Sequence, residues 1–116
     1  MVSIITKLKK SKFRSSFNLN QQDINYIKQK KIETIYQHTD EFIRKKLLYK
    51  LNNDGKQTPF KGHPVFIAQH ATATCCRKCV EKWHKIPKNK KLNEMDIAIL
   101  TNFIMEWIGR QMINYD

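Results

Sequence analysis

Apolar residues recur every three to four positions along most of this chain, which is the spacing of one face of an α-helix. One such run follows Asn20, with Asp23 placed three residues on as in a capping box, and another spans residues 32–48. The clearest run is the last, which begins after Asn93. Its apolar stripe contains Ile97, Leu100, Ile104, Trp107, Ile108 and Met112. No alternating run is long enough to predict a strand.

One strong break interrupts the helical pattern, at residues 51–62. Asn-Asp-Gly predicts a turn there, and Thr58 is biased away from helical geometry because a proline follows it. Near the N-terminus, the sequence predicts a short basic helix over residues 3–10 and a connecting loop over residues 11–18. The polar loop at 51–62 directly precedes the most unusual part of the chain.

His63-Pro64 favours the start of a helix after this break, because proline is tolerated at the first helical position. That helix is expected to end near Thr72, and either Thr72 or Thr74 is suited to cap another helix through Trp83. Residues 85–91 form a basic loop. We therefore predict an all-α fold, a single compact domain of about five helices with a His/Cys cluster in the central helices.

The length of 116 residues fits one domain. Within it we distinguish a basic N-terminal segment at residues 1–19 and a His/Cys block at residues 63–88. All three cysteines and three of the four histidines lie within residues 63–84. Thiolate and imidazole are the ligands that zinc prefers, and four of them in tetrahedral array form a structural site.

The spacing of this block predicts a metal site. Cys76 and Cys79 form a CxxC, and His84 follows after four residues, which is three-quarters of a zinc-knuckle spacing. The predicted ligands are His70, Cys76, Cys79 and His84. His63 is the alternative to His70, and Cys75 is the alternative to Cys76, since Cys75 and Cys79 would share one face of a helix. Zinc is the expected metal and iron the alternative; without a metal these side chains would simply pack the core.

Catalytic motifs are weaker than the metal pattern. The zinc deaminases need a glutamate close to the histidine and a proline before the CxxC, and neither stands beside His63 or Cys76. Arg77 and Lys78 would lower a thiol pKa, but the βαβ pattern of thioredoxin-like proteins is missing. An enzyme that uses a metal or thiolate between the 53–59 loop and the His/Cys block is therefore the alternative function. A metal-free helical adaptor for an acidic protein partner is a third.

The net charge of +12 comes from 22 basic and 10 acidic residues. A field of this sign attracts polyanions, and nucleic acid is the expected partner. Two segments are predicted to contact phosphates. Their residues are Lys85, Lys88, Lys90 and Lys91 in the basic loop and Lys7, Lys9, Lys10, Lys12 and Arg14 in the N-terminal segment.

The apolar run at residues 2–5 is too short for a secretory signal, and no stretch approaches the ~20 apolar residues of a membrane span. We expect a cytosolic protein with no membrane partner. In a reducing compartment, clustered cysteines serve as ligands or reactive thiols more often than as disulfides, and an odd number of cysteines points the same way. The oligomeric state is left open by the sequence.

The chain resembles a family of short bacterial and phage proteins catalogued only as a domain of unknown function, in four segments: KFRSSF (12–17), NDGKQTP (53–59), GHPVFIAQHATATCCRKCVEKWHKIPK (62–88) and MEWIGRQM (105–112). The resemblance covers nearly the whole chain. It implies a compact single domain marked by this His/Cys block, and it implies no activity, cofactor or partner. Asn89 stands where the family pattern leads us to expect glycine, which affects a turn and no predicted ligand.

Overall fold

The computed structural model describes residues 4–113, and these residues form helices and no strand. The predicted all-α fold is confirmed. The helices are α1 (Ile4–Lys10), α2 (Lys12–Ser15), α3 (Gln21–Lys30), α4 (Ile32–Lys46), α5 (Pro64–Ala71), α6 (Arg77–His84) and α7 (Glu94–Ile113). Ser3, where the first helix was predicted to begin, and part of the apolar run at 2–5 lie outside the described residues.

The described residues form seven helices where about five were expected. α1 was predicted, whereas α2 forms inside the segment that was predicted to be a loop at 11–18. The side chain of Ser11 caps α2 by accepting a hydrogen bond from the backbone N–H of Arg14 at 3.2 Å. This single turn carries the side chain of Arg14 into the protein, where Arg14 is buried.

A single hydrophobic core lies between α4 and α7, and α5 packs against α7 beside it. The predicted stripe of α7 is confirmed, since Ile97, Leu100, Ile104 and Ile108 are buried and Trp107 packs at the edge of the core. None of the described helices combines the length and the apolar character that a membrane span requires.

Two predicted helix starts are confirmed at the level of individual hydrogen bonds. The side chain of Asn20 accepts from the Asp23 N–H at 2.8 Å, and the Asp23 carboxylate accepts from the Asn20 N–H at 3.1 Å. Asn93 and Asp96 make the same reciprocal pair before α7, at 2.8 and 3.0 Å. These capping boxes satisfy backbone donors that have no partner within the helix.

The turn between α5 and α6 differs from the prediction. Neither Thr72 nor Thr74 caps α6; the N-cap is Cys76, and its side chain makes no capping hydrogen bond. Thr72 instead donates its hydroxyl to the Ala68 carbonyl at 2.7 Å, and the hydroxyls of Thr72 and Thr74 lie 3.0 Å apart. The threonines therefore tie down the end of α5 and leave the start of α6 to other groups.

Helix α5 ends in a Schellman motif. The Thr74 N–H donates to the Gln69 carbonyl at 2.8 Å, and the Ala73 N–H donates to the His70 carbonyl at 3.5 Å. Ala73 has the left-handed conformation that this motif requires, with φ at 59°, although glycine is the usual residue there. The turn reverses the chain sharply and delivers Cys75 and Cys76 next to α6.

Candidate metal centre

The sulfur atoms of Cys75, Cys76 and Cys79 all lie within 4.8 Å of one another. Sulfurs bound to one zinc at about 2.3 Å in tetrahedral geometry lie about 3.8 Å apart. The cluster is thus close to the spacing of a three-sulfur metal site. Cys76 and Cys79 were predicted ligands and Cys75 was an alternative to Cys76; the structure brings all three together.

The local backbone explains how two adjacent cysteines face the same point. Cys75 follows the Schellman turn, and Cys76 is in extended conformation at the N-cap of α6, with φ at −159°. Cys79 is the third residue of α6, so its sulfur returns towards the N-terminus of the helix. The sequence predicted that Cys75 and Cys79 would share one face of a helix. The structure instead brings them together with Cys75 outside α6, which begins at Arg77.

The polar loop at 51–62 supplies the cap that Cys76 does not provide. The carboxylate of Asp54 accepts from the backbone N–H groups of Arg77 at 2.9 Å and Lys78 at 3.1 Å. Burial alone would raise the pKa of Asp54, but hydrogen bonds from Gln57 and from these two amides hold it below its usual range. Asp54 thus caps the first turn of α6, and the sulfur of Cys76 makes no capping hydrogen bond.

A second residue of this loop anchors the cluster from the other side. Thr58 is buried, and its hydroxyl donates to the Cys75 carbonyl at 2.7 Å. The 53–59 loop therefore packs directly on the His/Cys block, and its polar side chains bond to the backbone around the cysteines.

Arg14 reaches the cluster from α2, 61 residues away in sequence from Cys75. Its guanidinium donates to the Cys79 sulfur at 3.0 Å, to the Cys75 sulfur at 3.5 Å and to the His70 carbonyl at 2.8 Å. Only 8% of Arg14 is exposed. The prediction that Arg14 contacts phosphate therefore conflicts with the structure, which places this cation against the cysteine sulfurs instead.

The cluster concentrates negative charge on one sulfur. Hydrogen bonds from Cys75 and Cys76, assisted by the guanidinium of Arg14, hold the pKa of the Cys79 thiol well below its ordinary value. Hydrogen bonds with Cys76 and Cys79, together with burial, raise the pKa of Cys75. A buried cation needs a counter-charge, and the Cys79 thiolate provides it for Arg14.

His84, a predicted ligand, stands near the cluster with one ring nitrogen uncommitted. Its Nε2 donates to the Thr72 carbonyl at 2.7 Å, so Nδ1 carries the lone pair. That Nδ1 atom is buried and has no hydrogen-bond partner among the described residues. Burial lowers the pKa of His84, while the Thr72 carbonyl and the charge of Cys79 oppose the shift. A neutral ring held by a carbonyl is typical of a histidine metal ligand.

His70 is also buried, and it is held by backbone and by aromatic rings. Its Nε2 lies 3.1 Å from the Thr58 carbonyl and 3.2 Å from the Pro59 carbonyl. The ring stacks on Phe60, with centroids 4.1 Å apart, and on Phe17 at 5.4 Å. Among the described residues, neither His70 nor His84 places a ring nitrogen within the 4.8 Å span that joins the three sulfurs.

His63, the alternative to His70, lies in a different environment. It is the N-cap of α5, and its Nδ1 accepts from the Val65 N–H at 3.0 Å. Its Nε2 therefore carries the proton and points at Nδ1 of His38, 3.1 Å away. The rings of Tyr26 and Phe42 contact it edge-on, with centroids 5.2 and 5.1 Å away. His63 thus stabilises a helix start and takes no part in the sulfur cluster.

The stability of the protein is expected to fall with acid partly because of His63. Burial and the neighbouring His38 lower its pKa from 6.5 to about 4. The unfolded chain then takes up this proton first, so the stabilisation from neutral His63 is complete above pH 6.5 and is lost between pH 6.5 and 4. After discounting for partial exposure, the loss is roughly 2 kcal/mol. Urea unfolding at several pH values measures it.

The matched control is His63→Asn, since asparagine caps helices without titrating. Burial also lowers the pKa of His70 and His84, and both remain in this variant. Wild type should therefore lose about 2 kcal/mol more than the variant between pH 7 and pH 4. Equal slopes would show that His63 contributes nothing to the acid sensitivity.

Arg77, which was expected to lower a thiol pKa, has a structural role instead. It is fully buried, and its guanidinium donates to the backbone carbonyls of Leu47 (3.3 Å), Leu48 (3.2 Å), Lys90 (3.1 Å) and Pro87. It therefore joins the C-terminal end of α4 to the loop after α6. No local pattern in the sequence distinguishes this arginine from a surface one.

Most of the predicted phosphate contacts are exposed. In the described part of the chain, Lys7, Lys9, Lys10, Lys12, Lys85, Lys88, Lys90 and Lys91 all lie on the surface. Lys88 forms an ion pair with Glu81 at 3.8 Å, and Lys90 forms one with Asp96 at 3.0 Å. Apart from Arg14, the positions of these cations are compatible with contact to an extended polyanion.

The chain belongs to the family described as Domain of unknown function (DUF4186), whose model matches residues 2–109. The match spans the N-terminal segment, the polar loop, the His/Cys block and most of α7. It confirms the resemblance seen in the sequence. No solved structure matches the chain. The description of the family assigns no activity, so a function has to be argued from the site.

Proposed function

We propose that this DUF4186 protein holds a zinc ion with Cys75, Cys76 and Cys79 and uses its lysine-rich surface to bind nucleic acid phosphates. The observation that carries the metal proposal is the convergence of three sulfurs beside a buried cation. Three thiolates and one Zn²⁺ carry a net charge of −1, and Arg14 neutralises it. A buried site balanced in this way avoids the cost of an uncompensated charge.

His84 is the proposed fourth ligand. Its buried Nδ1 has no partner in the described chain, and its Nε2 donates to Thr72 as a metal-bound imidazole commonly does. The ring has to move towards the sulfurs to bind. A four-ligand site of this kind is closed and structural, and it would lock α6 to the end of α5 and, through Arg14, to α2.

Metal content of native protein, purified without a histidine tag, tests this proposal. One zinc per chain is expected by elemental analysis, and the same measurement distinguishes zinc from iron. Replacing any one of the three cysteines with serine should reduce the content to a small fraction, and His84→Asn should also lower it because the fourth ligand is lost. His38→Gln removes an imidazole that contacts His63 and lies outside the sulfur cluster, so it should leave the content at one.

The lowered pKa of Cys79 favours a second candidate, a thiol-dependent enzyme. Protein that contains no metal and has one thiol that reacts with iodoacetamide at acidic pH would support that candidate and contradict the zinc site. Metal-free protein without such a thiol would instead support the third alternative, a metal-free helical adaptor for an acidic protein partner. The two measurements together separate the three alternatives.

The nucleic acid part of the proposal rests on charge and exposure. The chain carries a net charge of +12, and the lysines of residues 85–91 and of the N-terminal segment are on the surface. Binding that releases counterions from phosphates weakens steeply as salt rises. Absent or salt-insensitive binding of oligonucleotides would contradict this part without affecting the metal site.

A further inference from the structure

A surface cavity of about 360 Å³ lies where the chain leaving α4 passes the loop after α6. The cavity is lined by Tyr49, Lys50, Lys88, Asn89 and Lys90. Its two walls are joined through their backbones. The Leu92 N–H donates to the Leu48 carbonyl at 3.0 Å, and the guanidinium of Arg77 bonds carbonyls on both sides. The two walls of the cavity are therefore held at a fixed position by one main-chain hydrogen bond and the buried guanidinium of Arg77.

The aromatic ring in this cavity is exposed rather than packed. Tyr49 is 57% exposed, although tyrosines usually bury most of the ring. The ammonium group of Lys91 lies 5.9 Å from the centroid of the Tyr49 ring, within the range of a cation–π contact. An aromatic face flanked by cations suits a ligand that has both a flat ring and a negative charge.

The lysines around Tyr49 differ in how far they are neutralised. Lys88 and Lys90 form the ion pairs with Glu81 and Asp96, which fix the rim of the cavity. In the described part of the chain, Lys50 and Lys91 have no close ion pair with a carboxylate. Lys50 lines the cavity and Lys91 lies over the tyrosine ring, although Lys91 also interacts with the Glu94 carboxylate. Both can contact phosphates of a strand whose base stacks on Tyr49.

We infer that Tyr49 and the lysines beside it form a binding cleft for single-stranded nucleic acid, in which one base stacks on the tyrosine ring. This inference rests on the nucleic acid binding proposed above and names its substrate class and its contact site. Every base has a π-face, so stacking of this kind tolerates any sequence. A duplex keeps its bases stacked on each other and cannot offer one to Tyr49 without being opened.

Binding of a fluorescently labelled 12-nucleotide oligothymidylate, compared with a duplex of the same length, tests the inference by anisotropy. Tyr49→Ala should weaken single-strand binding about tenfold, which is the stacking contribution of one base. Tyr49→Phe keeps the ring and should bind like wild type. Duplex binding, which depends on phosphate contacts alone, should be nearly unchanged in both variants.

Tyr36→Ala is the matched control. Tyr36 is a similarly exposed tyrosine, at 45%, but it lies on α4 beside Ile32 and Met105 and away from the lysine loop. The Tyr36→Ala variant should bind the single strand and the duplex like wild type. Equal losses in the Tyr49 and Tyr36 variants, or an equal loss on the duplex, would overturn the stacking cleft and leave phosphate binding intact. If wild type binds neither ligand at low salt, both the cleft and the nucleic acid function fail.

Discussion

Chelation of the proposed zinc ion is expected to lower the melting temperature by about 15 °C. A ligand at about 1,000 times its dissociation constant stabilises the folded state by about 4 kcal/mol, and each kcal/mol corresponds to about 4 °C for a domain of this size. The effect should be this large because the three sulfurs lie together where the end of α5, the start of α6 and Arg14 of α2 meet, so a shared metal ion would join these segments. Thermal scans with and without a strong chelator measure it.

The control for chelation is the variant in which Cys75, Cys76 and Cys79 are all serine. Its melting temperature should already be low and should not respond to the chelator. Adding zinc back should restore wild type and leave the variant unchanged. A wild-type melting temperature that is the same with and without chelator would contradict a structural role of the metal.

Replacing Arg77 with methionine is expected to cost about 4 kcal/mol of unfolding free energy. The change keeps the buried volume similar but removes the guanidinium donor from the carbonyls of Leu47, Leu48, Pro87 and Lys90. The Leu48 carbonyl keeps the Leu92 N–H as a donor, and each buried acceptor left unsatisfied costs about 1–3 kcal/mol. Lysine is expected to recover only part of the loss, because a single ammonium cannot reproduce the planar fork of the guanidinium. Urea unfolding at neutral pH measures both variants.

Arg44→Met provides the comparison for Arg77. Arg44 is partly exposed, and its guanidinium pairs with the carboxylates of Asp40 and Glu94 at 2.6 Å. Exposed ion pairs of this kind contribute little to stability, because solvent and salt screen them. A loss at Arg77 no larger than the loss at Arg44 would show that its four backbone contacts do not stabilise the fold.

The features of this protein that were predictable are those set by nearby residues. Helical periodicity predicted α7 and its buried stripe, and the Asn20–Asp23 pair predicted the start of α3, because both depend on spacings of a few residues. The clustering of cysteines in sequence likewise pointed to a metal site, and Cys75, Cys76 and Cys79 do converge.

The errors come from contacts between distant segments. The cap of α6 is supplied by Asp54, 23 residues before Arg77, so the local preference for a threonine cap was overridden. Arg14 was read as a surface cation because its neighbours are basic, yet it contacts a sulfur 65 residues further on. Arg77 follows Cys76 directly and still points away from the cluster. Nothing in the local sequence encodes these long-range partners.

The left-handed conformation of Ala73 limits which residues can occupy position 73 of the His/Cys block. The methyl group is fully buried, and φ is 59°. A β-branched side chain at this point would meet its own backbone as well as the surrounding core. Randomising codon 73 and selecting for folded protein should therefore return alanine and glycine almost exclusively. Changes to nearby charged residues should not alter this result. Among natural variants, the spacing between α5 and the cysteines should change less readily than the lysine content of the surface.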